Sequence, residues 1–74
     1  MLFSMNYKIT FPERHSRTAE LIYGSTVRQL EEMGIPEESI SFDGRNVINA
    51  SQRAIFYLLQ ILPMSKTRPE IREI

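Results

Sequence analysis

A single histidine, His15, lies where the chain changes from a strand-like to a helix-like pattern. At this position its imidazole would lie beside a helix N-terminus, where an anion can bind. Ser16, the next residue, is a candidate N-cap of the following helix. Unpaired backbone N–H groups and the positive end of the helix dipole converge at such a terminus and stabilise an anion. Arg17 adds a cation that can bind phosphate oxygens through two hydrogen bonds. A nucleophilic imidazole beside an anion site is a candidate phosphoryl acceptor; the alternative is a solvated loop histidine without chemistry.

Two patterns flank this stretch and predict the elements that position it. From Met5 to Phe11 apolar and polar residues alternate, which is the period of a half-buried strand, and Pro12 ends the strand because it lacks a ladder donor. Apolar residues at three- and four-residue steps then predict an amphipathic helix from Ser16 to Met33, with Gly34 as its C-terminal cap. His15 is therefore expected in the loop at the helix N-terminus.

The middle of the chain predicts a hairpin. Two strand-like runs flank Asp43-Gly44, a pair that favours a two-residue type I′ turn. With that turn Phe42 faces Arg45 and Ile40 faces Val47. Because cross-strand partners share a face of the sheet, Ile40, Phe42 and Val47 are then expected to point into the core.

A second helix is predicted from Ala50 to Leu62, with Asn49 as N-cap, Gln52 completing a capping box and Pro63 ending the helix. This helix is apolar over most of its circumference. It is therefore either buried on most sides or offers an apolar patch to a partner. The residues from Glu70 onward form either a short edge strand or a disordered end.

Composition limits the classes of function. The 74 residues suffice for one small domain, and a hydrophobic fraction of 42% is that of a folded chain. Nine acidic and nine basic side chains give zero net charge, which argues against nucleic-acid or acidic-membrane binding. Without cysteine and with one histidine, we expect neither a disulfide nor a metal site, and no cofactor. Since no run approaches about 18 consecutive apolar residues, we expect a soluble cytoplasmic protein without membrane insertion.

The order of these elements, with a His-x-Arg motif ahead of the first helix, resembles HPr, the histidine-containing phosphocarrier of the bacterial sugar phosphotransferase system. Residues 15–19, HSRTA, are similar to the family's His-Ala-Arg-Pro-Ala. Residues 42–51, FDGRNVINAS, are similar to its second signature: a glycine turn, a Lys-x-Val-Asn run and a serine at the start of the second helix. The resemblance covers residues 5–62. It implies a single α+β domain over residues 1–74, an open-faced sandwich of order β-α-β-β-α in which residues 63–74 supply a short last strand or a flexible tail and the family's third helix is missing.

The resemblance also implies a role for each matching residue. His15 would take a phosphoryl group from enzyme I and pass it to a sugar-permease domain, and Arg17 would stabilise the phosphorylated imidazole. Ser51 falls where a regulatory kinase modifies the family's serine in many Gram-positive bacteria, and a phosphate there adds about −1.5 to −2 charge at a helix N-terminus. The expected partner-contacting residues are Thr18, which replaces the family's proline, Arg53 and Phe56.

The missing third helix has an energetic consequence. An uncovered sheet face would expose roughly several hundred Å² of apolar surface, worth several kcal/mol at about 25 cal/mol per Å². We therefore expect a second copy of the chain to cover that face, with residues 50–62 as the contact.

Two other functions stay open. One is a non-catalytic HPr-like interaction module that has lost phosphotransfer and binds a protein through Phe56, Tyr57 and the His15 loop. The other is a small structural or regulatory protein whose resemblance to HPr is accidental. In the phosphocarrier, Arg14, Arg17 and Arg53 form a phosphate pocket if the second helix packs beside the first loop, as in the family; otherwise they are solvated charges.

Overall fold

Two helices lie on one face of a four-stranded antiparallel sheet in the computed structural model, which describes residues 5–74. The strands and helices follow one another along the chain as β1 (Tyr7–Thr10), α1 (Ser16–Glu32), β2 (Ile40–Phe42), β3 (Val47–Ala50), α2 (Gln52–Ile61) and β4 (Glu70–Glu73). Three short 3-10 turns lie between them, at Glu13–His15, Glu37–Ser39 and Leu62–Ser65. The expected α+β class is confirmed, and of the two alternatives left open for the last residues, a short strand or a disordered end, the structure has the strand.

The sheet order is β2-β3-β1-β4. α1 connects β1 to β2, and β3 lies between these two strands in the sheet. α2 connects β3 to β4, and β1 lies between these two strands. The chain thus contains two interleaved split β-α-β units, the arrangement called ferredoxin-like. This fold hosts many unrelated functions, so function has to be argued from particular residues.

Apolar residues that alternate along the strands and recur at helical spacing in α1 and α2 form one core between the sheet and the two helices. Its fully buried members include Ile9, Phe11, Leu30, Ile48 and Leu58. The predicted end of α1 is accurate because a local motif specifies it. Gly34 adopts φ +73°, its N–H donates to the Glu31 carbonyl, and the Ile35 N–H donates to the Leu30 carbonyl at 2.9 Å. These two bonds are a Schellman motif, which requires a left-handed residue and therefore favours glycine.

The predicted two-residue turn of the hairpin is wrong. Phe42 pairs with Ile48 and Ile40 pairs with Ala50, so neither faces Arg45 or Val47. The longer loop forms because the Asp43 carboxylate accepts hydrogen bonds from the backbone N–H groups of residues 45, 46 and 47 at 2.8, 3.0 and 3.0 Å. These donors are satisfied inside the loop rather than across a tight turn. Ile48 and Ala50 consequently point into the core, and Val47 lies on the opposite face of the sheet.

The predicted start of the second helix is also displaced. Ala50 is the last residue of β3, and the N-cap is Ser51, not Asn49. The Ser51 hydroxyl accepts from the Ala54 N–H at 3.2 Å, which satisfies one of the free donors at a helix start. Asn49 pairs with Lys8 in the sheet and is therefore not available as a cap. At the other end Pro63 stops the α-helix, although the chain continues into the 3-10 turn Leu62–Ser65.

The face of the sheet that the helices leave open is polar, contrary to the sequence-based expectation. Alternation assigns to it the side chains of Lys8, Thr10, Ser41, Val47, Asn49, Glu70 and Arg72. A polar face tolerates water, so the premise that a second copy must cover an apolar face is wrong. Within residues 5–74, no helix has the length and apolar character to span a membrane.

Candidate functional site

His15 is the last residue of the 3-10 turn Glu13–His15, which runs directly into α1. The position before the first helical residue is therefore occupied by His15, and Ser16, the predicted N-cap, is the first residue of the helix. No side chain caps this terminus. The 3-10 turn extends the helix backwards and carries the imidazole on an ordered element instead of a loop.

This turn alters the anion site expected at the helix start. The His15 N–H donates to the Pro12 carbonyl at 2.8 Å, and the Ser16 N–H bonds to the Glu13 carbonyl. Two donors that the sequence predicted to be free are therefore occupied. Since bound N–H groups cannot bind an anion, this helix start offers fewer backbone donors to an anion than the sequence predicted.

The His15 ring is held by a residue from the far end of the chain. Its Nδ1 lies 2.8 Å from the hydroxyl Oγ1 of Thr67, 52 positions away, which is only 8% exposed. The Thr67 N–H in turn donates to the Ser65 hydroxyl at 3.4 Å, and that hydroxyl donates to the Leu62 carbonyl at 2.6 Å. The turn after α2, which these hydrogen bonds hold together, thus contacts the half-buried imidazole through Thr67.

The Thr67 contact makes the two imidazole nitrogens unequal. In the tautomer in which Nδ1–H donates to the Thr67 oxygen, Nε2 has no proton and keeps a free electron pair. The hydroxyl can also donate to an unprotonated Nδ1, in which case Nε2 carries the proton. In either tautomer Thr67 occupies Nδ1, so the contact distinguishes this nitrogen from Nε2.

Two cations flank the residue that holds His15. Lys66 and Arg68 lie on either side of Thr67, both are exposed, and both line a surface depression of about 610 Å³ together with Thr67 and Pro69. Arg14, also exposed, precedes His15 directly. Arg14 is next to His15 in the chain, and Lys66 and Arg68 are next to Thr67, but the depression that Lys66 and Arg68 line does not include His15.

Arg17 lies elsewhere. It is exposed and lines a different depression, with Glu20 and Arg28, along the outer side of α1. Residues two positions apart on a helix do not face each other, so Arg17 and His15 point in different directions. Thr18 is three positions from His15 and half-buried, and it lines a groove with Met64 and Ser65 near the end of α2.

Ser51 and Arg53 lie at the opposite end of the sheet from His15. Thr10 pairs with Val47 and Tyr7 with Ala50, so the start of α2 lies beside the beginning of β1, whereas His15 follows its end. The structure therefore does not bring Arg53 to Arg14 and Arg17, and the expected pocket of three arginines is not formed. Ser51 is 4% exposed, and its hydroxyl is engaged with the Ala54 N–H.

Phe56, which the resemblance to HPr implies as a partner contact, lies on the solvent side of α2. It is 58% exposed, and its ring meets that of Tyr57 edge-on with centroids 5.3 Å apart. Leu59, one turn further, is 45% exposed, while Ala54, Ile55 and Leu58 face the core. α2 thus buries one stripe and offers a second, smaller apolar stripe to solvent.

The hairpin loop carries the group with a clearly shifted pKa. Hydrogen bonds from the N–H groups of Val47, Arg45 and Asn46, together with the charge of Arg45, hold the pKa of Asp43 below its ordinary value of 3.8. The neighbouring Asn46 side chain donates to the Phe11 carbonyl at 2.8 Å, which ties this loop to the segment between β1 and His15. Among residues 5–74, no three His, Asp or Glu side chains are grouped so as to hold a metal ion.

Sequence reasoning missed Thr67, Lys66 and Arg68 because their distance along the chain from His15 hides the relation. A signal was nevertheless present in the expected last strand. When β4 pairs with β1 so that Glu70 lies opposite Thr10, the residues that precede β4 necessarily lie beside those that follow β1. The basic run Lys66-Thr67-Arg68 then meets the His15 turn.

Comparison of the chain with protein-family models, with curated proteins and with solved structures gives no significant match.

Proposed function

We propose that this chain is an HPr-like phosphocarrier in which the imidazole of His15 accepts and donates a phosphoryl group. The observation that carries the proposal is the hydrogen bond of 2.8 Å between His15 Nδ1 and the buried Thr67 hydroxyl. In the tautomer in which Nδ1–H donates to Thr67, this bond fixes the ring orientation and leaves Nε2 with a free electron pair as the nucleophile. The resemblance of residues 15–19 and 42–51 to the HPr signatures supports phosphoryl transfer on His15 but does not identify the reacting nitrogen.

The transfer forms one N–P bond, breaks another and moves no proton on His15. The Nε2 electron pair attacks phosphorus, a new N–P bond forms, and the bond between phosphorus and the donor's imidazole breaks, with the electron pair returning to the donor. The Nδ1 proton stays on His15 and remains hydrogen-bonded to Thr67. The onward step to a permease domain reverses these roles with a new acceptor.

In this proposal positive charge for the transferred group comes from the exposed cations nearest in the chain, Arg14 beside His15 and Lys66 and Arg68 beside Thr67, whose side chains turn toward the imidazole when the phosphoryl group is present. The phosphoryl oxygens carry most of the charge during transfer, so placed cations are the main contribution that a protein makes. Arg17, which faces another depression, contributes less than the family resemblance implies. A serine kinase acting at Ser51 would have to open the start of α2, because that hydroxyl is buried.

A second candidate function is supported by the exposed stripe on α2. Phe56 and Leu59 are large apolar residues that are about half exposed, as in surfaces that bind partner proteins. In this alternative the chain has kept the scaffold and binds a protein through α2 without phosphotransfer. The two functions differ in whether His15 changes covalently.

Phosphorylation discriminates between them. The purified chain is incubated with phosphoenolpyruvate and an enzyme I that phosphorylates authentic HPr, and its intact mass is measured at neutral pH. The phosphocarrier gains one acid-labile phosphate, and His15→Gln, which keeps a polar side chain, gains none. Arg68→Ala is expected to slow the gain about tenfold, whereas Arg17→Ala changes it less than about threefold. Binding of the enzyme I to the chain without transfer would favour the interaction module.

A further inference from the structure

The outer side of β4 is an open sheet edge, since no strand among residues 5–74 pairs with it. The Ile74 N–H donates to the Asn6 carbonyl at 2.7 Å, and this bond fixes the alternation of the ladder. Glu70 and Arg72 therefore direct their backbone groups to β1, whereas the N–H and C=O groups of Ile71 and Glu73 point away from the sheet. An edge with such free groups is a template for a further strand.

The side chains of β4 are self-complementary. Glu70 and Arg72 lie on the open face of the sheet, both exposed, and pair with each other. Ile71 lies on the helix side and is 40% exposed. When two copies pair antiparallel about Ile71, Glu70 of each copy lies opposite Arg72 of the other, and Ile71 lies opposite Ile71. Opposite charges and apolar pairs in direct register stabilise a sheet.

Neighbouring registers are less favourable. A dimer centred on Arg72 places this side chain opposite itself, and one centred on Glu70 does the same for Glu70; like charges in direct register are destabilising. In the register centred on Ile71, the Glu73 N–H of each copy reaches the Pro69 carbonyl of the other. Because proline has no backbone N–H, the only bond of this pair that cannot form is the one from Pro69 to the Glu73 carbonyl.

We propose that the chain forms a two-fold dimer in which β4 pairs antiparallel with β4 of a second copy, centred on Ile71. The sheet then continues across both molecules. The zero net charge of the chain gives no long-range repulsion between copies. Leu59, which shares a surface depression with Pro69, adds exposed apolar area on the helix side near this edge. This dimer is independent of phosphotransfer and uses the strand edge, unlike the helix-mediated dimer expected from the sequence.

Charge swapping tests the proposed register. Sedimentation velocity is measured from roughly 10 μM to 1 mM, the range expected for a small interface. Glu70→Arg and Arg72→Glu each place like charges opposite each other at two symmetric positions, and each is expected to weaken the dimer about tenfold or more. The double variant exchanges the charges and is expected to restore the wild-type dissociation constant within about threefold. Glu73→Arg, the matched control on the same strand, faces Pro69 and should leave the constant almost unchanged.

A backbone measurement tests the pairing independently of the variants. Amide exchange of Ile71, followed by NMR in the wild-type chain, is expected to slow with increasing protein concentration, while that of the exposed Glu38 does not. A chain that stays monomeric over the whole range overturns the proposal. A dimer that is indifferent to both single charge reversals also overturns it, because the contact then lies on another surface, such as α2.

Discussion

His15 and Thr67 are joined by a hydrogen bond of 2.8 Å across 52 positions of the chain, and this bond connects the start of α1 to the segment that leads into β4. Neither residue is placed there by its own neighbours along the sequence. The antiparallel pairing of β4 with β1 brings the two segments together, and the buried hydroxyl then sets the orientation of the ring. The reactivity of His15 therefore depends on the last strand of the sheet.

Removal of the Thr67 hydroxyl tests this dependence. Thr67→Val keeps the shape of the side chain but leaves Nδ1 of His15 without its partner, so the tautomer preference is lost. We expect phosphoryl acceptance to slow about tenfold, within the range of a lost positioning contact. Nitrogen chemical shifts of the His15 ring measure the tautomer directly, in a way that a general loss of stability does not imitate. Thr67→Ser, which keeps a hydroxyl, should restore both the tautomer preference and the rate. Unchanged ring shifts in the valine variant would contradict the role assigned to Thr67.

Replacement of Asp43 tests the hairpin loop and its pH dependence. The folded chain lowers the pKa of Asp43 from 3.8 because three backbone N–H groups bind the ionised form. The stabilisation is therefore fully present above pH 3.8 and is lost as the pH falls through the lower folded value. Asp43→Asn should have a lower melting temperature than the wild type at neutral pH, and the difference should shrink on acidification below pH 3.8. Melting curves from neutral pH downward check this, and a difference that grows in acid is the contrary result.

The cap of α2 is expected to contribute to stability. Ser51→Ala removes the acceptor for the Ala54 N–H and should lower the free energy of unfolding by about 1 kcal/mol. Urea denaturation measures this loss. The matched control is Gln52→Ala at the next position, since the structure gives the exposed Gln52 side chain no capping role. A cost of Gln52→Ala equal to that of Ser51→Ala would contradict the assigned cap.

The adjacent residues Leu58 and Leu59 test which face of α2 packs into the core and which faces solvent. Leu58 is fully buried, and Leu59 is 45% exposed on the same turn of α2. Leu58→Ala should cost about 2–5 kcal/mol because it leaves a cavity, whereas Leu59→Ala should cost less than about 1 kcal/mol. A chain of this size has roughly 4–11 kcal/mol of total stability, so the first variant is expected to lose much of it. Equal losses in urea denaturation would mean that the two faces of α2 are assigned wrongly.

Sequence reasoning was most accurate where a short local motif decides the structure. Gly34 ended α1 as predicted because a Schellman motif involves only residues around the helix end. It failed at the hairpin, where a side chain, Asp43, satisfies the donors that a two-residue turn would have paired across strands. It also failed at the N-cap of α2: Asn49 and Ser51 are both good caps, and the pairing of Asn49 with Lys8 in the sheet decided between them.

The candidate site divides in the same way. His15 at the start of a helix follows from local patterns, whereas the apolar pattern of the second helix left open whether Phe56 is buried or exposed. The separation of Ser51 and Arg53 from His15 depends on the strand order, which puts the start of α2 at the other end of β1. The Thr67 contact depends on the same order and on the register of β4. Local periodicity does not contain this information.

The phosphocarrier proposal is tested most directly by locating the phosphate on the imidazole. The chain, labelled with ¹⁵N in histidine, is treated with phosphoramidate, a chemical phosphoryl donor that needs no partner protein, and the ring nitrogens are followed by NMR. We predict one acid-labile phosphate on Nε2 of His15, with Nδ1 still hydrogen-bonded to Thr67. If His15 stays unmodified under conditions that phosphorylate authentic HPr, or if the phosphate lies on Nδ1, the proposed chemistry of this site is contradicted.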